Sequence, residues 1–361
     1  MKKLLKLFIT FALVVVSVFG IVGCNDASKN TPTTGLQYKK YVNEDFYTVY
    51  GYVNDGKTTE LEISADIDGV PVKRIASNAF KNNGVLKSVI VPDSVTEIGE
   101  GAFAGMSALE KLTIPFVGGF INADVKFSDT KEDVDKAVDA ERNFAYIFGK
   151  EEFEFGKKTT SYYNAEGNAT YYLPIKLRTV TVKNQNEYKI PMFAFNGVDN
   201  LTAINLQGNL VEIGENAFDG CKGLAKIVIP ASVTEIHKKA FVNCGLTEIE
   251  FEQGSNLKVI GDYAFEKTNV KNLVLPASVE EIGASAFAES ALESVVLSAS
   301  LKKIGNYGFY ACKKLVAVSG ASNVAVGNAV FKNCELLDCS AFGSMFNIGD
   351  SANVYEGTKN A

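Results

Sequence analysis

The sequence predicts a mainly β solenoid of stacked 22–24-residue coils, interrupted by an irregular α/β insertion. A phenylalanine, usually preceded by alanine, recurs every 22 to 24 residues outside one gap of 92 residues. An isoleucine, or a valine in the last unit, lies five residues before each of these phenylalanines. Self-similarity at such a period is typical of repeat architectures. The nine phenylalanines are Phe80, Phe103, Phe195, Phe218, Phe241, Phe265, Phe287, Phe309 and Phe331.

Each unit reads as two short extended segments and a turn. In the unit ending at Phe103, the first segment is Val89-Ile90-Val91 and Pro92 ends it. The second segment runs from Val95 to Ile98. β-Branched residues favour strands, and proline is tolerated where a strand stops. One coil cannot bury its own Phe, Ile and Leu, so neighbouring coils must stack and supply most of the stability.

Three units are similar enough to identify a family resemblance. The segments VPDSVTEIGEGAF (91–103), IPASVTEIHKKAF (229–241) and LPASVEEIGASAF (275–287) resemble the BspA-like leucine-rich repeats of bacterial surface proteins. The resemblance covers about Gly69 to Leu337 and implies a leucine-rich-repeat solenoid. It also implies an exported protein, since characterised members are adhesins that bind host matrix proteins or other microbes. IPFVGGF (114–120), followed by FAYIFG (144–149), resembles an insertion found in many members.

The N-terminus predicts export and lipid anchoring. Residues 1–23 carry three lysines and then an apolar run, as in a bacterial signal peptide. Small residues before Cys24 resemble a lipobox, so we expect Cys24 to carry the lipid that holds the protein at the cell surface. The membrane would be contacted through this anchor only. Residues 24–36 are polar and read as a tether.

The remaining chain divides around the repeats. We expect the solenoid to span 37–337, with the insertion at about 118–176, and residues 338–361 to form a C-terminal cap and a frayed tail. Within the insertion, a helix is predicted near residues 130–145. A hairpin is predicted from Glu151–Phe155 and Ala169–Leu173 around Asn164–Asn168.

Aromatic residues crowd the insertion, and two of them are candidate contact residues. Tyrosine combines apolar area with a polar group at low entropic cost, which favours it at recognition surfaces. Tyr162 and Tyr163, beside the predicted loop, are therefore candidates for partner binding. The alternative is that these aromatic residues form a local core packed on the solenoid.

The composition argues against catalysis, metal binding and nucleic-acid binding. His237 is the single histidine and occupies a turn position that other units fill with glycine, so we expect a tolerated surface substitution. With no spare imidazole and no clustered Cys and His, neither catalytic residues, a metal site nor a cofactor is expected. The net charge is −6, or −9 without the leader, whereas phosphate binding needs a basic surface.

Four cysteines share one position, three residues after a ladder phenylalanine. Other units place Met or Val there, which indicates a packing position and favours buried thiols. Stacking would also bring these cysteines within disulfide range of each other, so a bridge between neighbours stays open. The four are Cys221, Cys244, Cys312 and Cys334, and Cys339 is additional.

The outward residue of each first strand forms a candidate protein-binding face. Alternation places Val89 and Val91 inward and Ile90 outward, and the same register applies to every coil. The face carries few charges and several exposed Ile and Val, which favours a contact surface; β-propensity alone is the alternative explanation. The candidate partner-binding residues are Ile90, Thr113, Val228, Glu250, Val274 and Val296.

Taken together, these features favour a cell-surface lipoprotein that acts as a protein-binding or adhesion module. The expected partner is a host matrix protein or a microbial surface protein, and a glycan is less favoured. Two alternatives remain open. One is a structural envelope lipoprotein without a host ligand, and the other is a carbohydrate-binding accessory protein.

Overall fold

The computed structural model describes residues 35–119, 142–162, 167–349 and 351–359. These residues form a mainly β solenoid, as the repeats predict. Among them, no helix is long and apolar enough to cross a membrane. The predicted signal peptide, Cys24, Tyr163 and most of the predicted helix near 130–145 lie outside the described residues.

The first strands of successive coils stack side by side in parallel. They are β3 (Glu60–Glu62), β6 (Ser88–Ile90), β8 (Lys111–Ile114), β11 (Thr179–Ile190), β12 (Ala203–Ile213), β13 (Lys226–Ile229), β15 (Glu248–Phe251), β17 (Asn272–Val274), β19 (Ser294–Val296) and β21 (Ala317–Ser319). The first five pair in that order, β13 pairs with β15, and β17, β19 and β21 form a three-stranded sheet. No pairing joins the described strands β12 and β13, or β15 and β17.

The second strands form another parallel array on a different side of the coils. The C-terminal halves of β11 and β12 belong to it, because these two strands run on from the first side into the second. The other members are β2 (Tyr47–Tyr52), β5 (Val70–Ile75), β7 (Glu97–Ile98), β14 (Glu235–Ile236), β16 (Val259–Ile260), β18 (Glu281–Ile282), β20 (Lys303–Ile304), β22 (Val324–Val326) and β23 (Phe346–Asn347).

The repeated phenylalanines form a buried ladder along the stack. From Phe195 to Phe331, adjacent rings lie 4.8 to 5.5 Å apart with planes within 8° of parallel. The backbone N–H of each donates to a carbonyl of the next coil, as Phe241 does to Ala264 at 2.8 Å. The ladder predicted from the sequence is therefore confirmed.

The insertion continues this ladder through the gap of 92 residues. A 3-10 helix, η1 (Phe144–Phe148), lies between Phe103 and Phe195. Phe148 lies 6.3 Å from Phe103, and Phe144 lies 4.9 Å from Phe195. The backbone N–H of Phe103 donates to Ile147 O at 2.9 Å, as it would to an ordinary next coil. FAYIF thus replaces a coil.

The hairpin of the insertion differs in one arm from the prediction. β9 (Gly156–Tyr162) pairs antiparallel with β10 (Asn168–Pro174), so the second arm was predicted correctly. The first arm was wrong, because Glu151–Phe155 precedes the strand and Gly156 N donates to Phe153 O in a turn. The register pairs Tyr162 with Asn168, which leaves only a short loop to close and favours the observed arms.

At each end of the described stack, a tyrosine ring lies against the terminal phenylalanine of the ladder. At the start, β1 (Leu36–Lys39) pairs antiparallel with β2, and Tyr52 lies 6.1 Å from Phe80. β1 therefore begins at the last residue of the predicted tether. A short antiparallel strand, β4 (Asp66–Ile67), leads into β5.

At the other end, a short 3-10 helix, η2 (Cys339–Ala341), and β23 follow the last full coil. Tyr355 lies 6.1 Å from Phe331 with an interplanar angle of 11°. Phe331 N donates to Val354 O at 2.8 Å and Lys359 N donates to Leu337 O at 3.1 Å. Residues 351–359 therefore continue the coil pattern, in contrast to the frayed tail that the sequence predicts.

Candidate functional site

The candidate face consists of the outward side chains of the first strands. Each of its apolar members keeps substantial exposure: Ile90 40%, Val228 37%, Val274 65% and Val296 39%. Their inward neighbours Val89, Ile227, Leu273 and Val295 are at most 2% exposed. The period of two along a strand thus separates a buried ladder from an exposed column, as expected for a half-buried sheet.

The strand register brings the candidate residues together in three groups. Ile90 lies opposite Thr113 across β6 and β8. Val228 lies opposite Glu250 across β13 and β15. Val274 lies opposite Val296 across β17 and β19. The breaks in pairing before β13 and before β17 separate these groups, so the face is not one continuous sheet.

Charges divide the face further. Lys226 forms ion pairs with Glu248 at 3.3 Å and with Glu250. The hydrogen bond from Lys226 lowers the pKa of Glu250, and the bond to Glu250 raises the pKa of Lys226. In the first described coil, Glu62 takes the place in register that Ile90 holds in the next. The face is therefore more charged in these coils than its sequence column suggests.

The sheet β17–β19–β21 is the uncharged part of the face. Its outward positions carry only small polar and apolar side chains, and the Ser294 hydroxyl donates to Asn272 Oδ1 at 2.7 Å. Because this contact joins two polar groups and no charge lies on the sheet, a partner that covers it does not have to remove a charge from water. The six outward residues are Asn272, Val274, Ser294, Val296, Ala317 and Ser319.

A groove opens beside this sheet, at the break between β15 and β17. Its volume is about 990 Å³, and it is lined by Glu250, Phe251, Val274 and Pro276 among others. The loop 252–255 forms one wall, because the coil from Phe241 to Phe265 is longer than its neighbours. The Glu252 carboxylate accepts a hydrogen bond from Ala231 N at 2.9 Å, which holds this loop on the preceding coil.

The second-strand side is covered by ion pairs between adjacent coils. Glu97 pairs with Arg74 at 2.7 Å, and Glu281 pairs with Lys303 at 2.7 Å. Opposite charges directly across a strand pair stabilise a sheet. These residues are therefore paired with each other, which agrees with an ordinary solvated face.

His237 is half-buried on the second-strand side and contacts two carboxylates, which the sequence did not predict. Its Nε2 lies 3.0 Å from a carboxylate oxygen of Glu212, and its Nδ1 lies 3.4 Å from Glu235. The side chain is only 22% exposed. Six other units place glycine here, because a Cβ would meet the preceding coil; a Cβ added at Gly261 would lie 2.7 Å from Lys238 N. His237 instead projects toward the ion pairs of the second strands.

Tyr162 does not belong to the first-strand face. It is 44% exposed, and its backbone N–H donates to Asn196 Oδ1 at 3.1 Å. Asn196 directly follows Phe195, so Tyr162 lies over the turns of the coil and away from the first strands. Several other aromatic residues of the insertion, among them Phe144, Phe148 and Tyr171, are fully buried. The local core, left open as an alternative, is thus present.

Comparison with protein families identifies the repeats. The model for the BspA type leucine rich repeat region matches six copies, over residues 57–124, 164–290 and 234–359, which together exceed half of the chain. The chain belongs to this family. Solved structures to which the chain is similar include a leucine-rich repeat protein from Bacteroides ovatus, with 19% identity, coverage of 91% of this chain and 92% of the other, and a TM-score of 0.36.

Two further solved structures are similar to this BspA-type chain. A leucine rich cell surface protein from Faecalibacterium prausnitzii has 19% identity, with coverage of 90% and 99% and a TM-score of 0.33. The pneumococcal vaccine antigen PcpA has 15% identity, with coverage of 89% and 92% and a TM-score of 0.35. No curated protein matches the sequence.

The repeated cysteines of this BspA-type chain are buried free thiols. Each sulfur donates to a carbonyl of the preceding coil, as Cys221 does to Phe195 O at 3.2 Å and Cys334 does to Phe309 O at 3.1 Å. Burial raises the pKa of the Cys244 thiol to about 12. Their burial and their contacts with the preceding coil show that these four cysteines are packed in the core. Within the described ranges, no group of His, Cys, Asp and Glu could hold a metal ion.

Proposed function

We propose that this BspA-type chain is a lipid-anchored bacterial cell-surface protein that binds another protein through its first-strand face. The observation that carries the proposal is the sheet β17–β19–β21, where six outward residues are uncharged and Val274 and Val296 are exposed. On the second-strand side of the same coils, ion pairs join one coil to the next. Exposed apolar area without a covering charge is typical of contact surfaces.

Binding, and not catalysis, is the activity that this surface supports. The groove beside β17 has carboxylates on one wall, but Lys226 pairs with two of them and Ala231 N binds a third. The single histidine lies among the ion pairs of the second strands. A partner of the class expected here is a host matrix protein or a microbial surface protein that presents an apolar patch of its own.

The test replaces Val228, Val274 and Val296 together by Lys. All three side chains point outward, so the buried ladder and the fold should be retained. Binding to an array of purified matrix and microbial surface proteins, followed by surface plasmon resonance, should fall by about tenfold or more, because a charge desolvated without a partner is costly. The control changes Glu235, Glu281 and Lys303 to Ala on the second-strand side.

Unchanged binding by the Lys variant, together with loss in the control, would overturn the assignment of the face. A separate Tyr162→Ser variant tests the insertion. Deleting residues 120–173 is unsuitable for this purpose, because it removes Phe144 and Phe148 from the ladder. Weaker binding of Tyr162→Ser alone would place the partner on the hairpin of the insertion.

The lipid anchor is tested separately. Cys24→Ala should release the protein from membranes of the producing cell or leave it as an unprocessed precursor, because the thiol is the proposed attachment point. Fractionation of cells and mass spectrometry of the N-terminus measure both outcomes. Normal leader cleavage with full membrane retention would contradict the assignment.

A further inference from the structure

At the first turn of the described chain, the acidic side chains are in ion pairs and the lysines are not. Lys39, the last residue of β1, is followed in the turn before β2 by Lys40, Glu44 and Asp45. Glu44 binds Arg74 at 2.8 Å, and Asp45 lies 3.7 Å from Lys73. Both acids are therefore held by cations of the first coil. In the part of the chain that the structure describes, neither Lys39 nor Lys40 forms an ion pair with a carboxylate.

Apolar and aromatic side chains accompany these lysines. Val42 is 90% exposed, more than any other large hydrophobic residue described, and Tyr41 is also exposed. The ammonium group of Lys39 lies 4.4 Å from the centre of the Tyr41 ring. Lysine and tyrosine with an adjacent exposed apolar residue are favoured where a protein meets the interface of a lipid bilayer. Because cations of the first coil pair with both acids, the two lysines are the unpaired charges of this described turn, although the whole chain has a net charge of −6.

The position of the turn fits contact with a membrane. Among the described strands, β1 is the outermost at the first end of the stack, and it begins next to Gly35. From Gly35 to Lys40 the chain spans about 17 Å at roughly 3.4 Å per residue. Residues 25–34 extend to roughly 35 Å at most. A lipid on Cys24 therefore keeps the turn within reach of the bilayer.

We propose that the turn formed by Lys39, Lys40, Tyr41 and Val42 rests on an anionic lipid surface and fixes the end of the solenoid against it. This proposal rests on the lipid anchoring proposed above. Lys39 and Lys40 contact the headgroups, while Tyr41 and Val42 lie in the interface. The coils then point away from the membrane, and the first-strand face stays accessible from the side.

The absence of tryptophan from the chain permits a direct test. Val42→Trp introduces a single tryptophan at an exposed position and leaves the core unchanged. The chain from Asn25 to Ala361, with an N-terminal histidine tag, is tethered to vesicles that contain nickel-chelating lipid in either phosphatidylglycerol or phosphatidylcholine. The tag replaces the lipid, so the result does not depend on whether Cys24 is modified or which face binds a protein.

On phosphatidylglycerol vesicles, the tryptophan emission of the Val42→Trp protein should shift to shorter wavelength, and its quenching by acrylamide should fall by about twofold or more. Val316→Trp, exposed near the other end of the stack, is the matched control and should not respond. Adding Lys39→Glu and Lys40→Glu to the Val42→Trp protein should abolish the shift. Identical emission of the Val42→Trp protein with and without vesicles, or equal shifts for the two tryptophan variants, would overturn the proposal.

Discussion

At the residue scale, the phenylalanine ladder contributes much of the stability of each coil. Phe241 is fully buried and stacks 4.8 Å from Phe218 and 5.1 Å from Phe265. Phe241→Ala should lower the free energy of unfolding by about 3–5 kcal/mol, because it empties a buried aromatic site. Urea unfolding followed by circular dichroism measures the loss. Superimposable curves for the two proteins would show that the register of the ladder is wrong.

Backbone conformation is a second feature at this scale, and residue patterns alone did not reveal it. In the regular coils, the residues two before and two after the ladder phenylalanine both have positive φ. Asn and Gly adopt this conformation readily and hold many of these positions. Their recurrence there is the sequence feature from which the positive φ values could have been predicted. The pairs include Asn78 and Asn82, Gly101 and Gly105, Asn216 and Gly220, and Asn353 and Gly357 around Tyr355.

The backbone is strained where a residue other than Asn or Gly holds one of these positive-φ positions. Ala311 has φ of 53°, two residues after Phe309. Ala311→Gly should raise the free energy of unfolding by about 1 kcal/mol, since glycine removes the Cβ penalty. The matched control is Ala317→Gly in β21, which should lower it by about 0.5–1 kcal/mol. Thermal unfolding of both variants measures the effects, and loss of stability in both would contradict the argument.

At the scale of elements, ion pairs connect the second strands, and Glu212 shows how. Burial opposes its ionisation, but hydrogen bonds from Lys189 and His237 outweigh this and lower the pKa of Glu212. A carboxylate with a lowered pKa in the folded state stabilises the protein above its unfolded pKa, and this stabilisation is lost as the pH falls through the folded value. The pH range in which Glu212 changes the stability of the protein therefore lies below about pH 4.5.

Glu212→Gln should therefore be less stable than the unmodified protein at about pH 7. Below about pH 4 the difference should shrink, because the native carboxyl takes up a proton and loses its advantage as the pH falls through its lowered pKa. Urea midpoints at the two pH values measure this directly. A difference that stays constant with pH would mean that Glu212 acts through packing or hydrogen bonding and not through its charge.

Sequence patterns predicted some elements and missed others for physical reasons. The register of the first strands follows from alternation, so the opposition of Val274 and Val296 follows from the repeat alone. The breaks in strand pairing before β13 and β17 cannot be predicted from the repeat, because they depend on how coils of 22 to 24 residues stack. The repeat pattern also does not predict that Phe144 and Phe148 join the ladder, since their rings reach it from a 3-10 helix with a different spacing.

At the scale of the whole molecule, a solenoid depends on its ends. Each coil is stabilised mainly by its neighbours, so a terminal coil needs a cover for its apolar side. Tyr52 lies on Phe80 at one end and Tyr355 on Phe331 at the other. Both tyrosines contact the ladder with their rings, which places an aromatic ring with a polar hydroxyl at each boundary of the stack. The pattern argues that residues 351–359 belong to the fold.

Removing residues 351–361 should therefore loosen the last coils without affecting the first. The amide of Phe331 loses its acceptor, Val354 O, and its ring loses Tyr355. We expect hydrogen exchange at Phe331 and Phe309 to accelerate, with a progressively smaller effect toward Phe195 and none at Phe80, because contacts between neighbours decay along the stack. Tyr355→Phe keeps the ring and should retain near-normal protection. Equal acceleration at Phe80 and Phe331 would mean that the solenoid unfolds as one cooperative unit, and unchanged exchange throughout would show that the final segment does not cover the ladder.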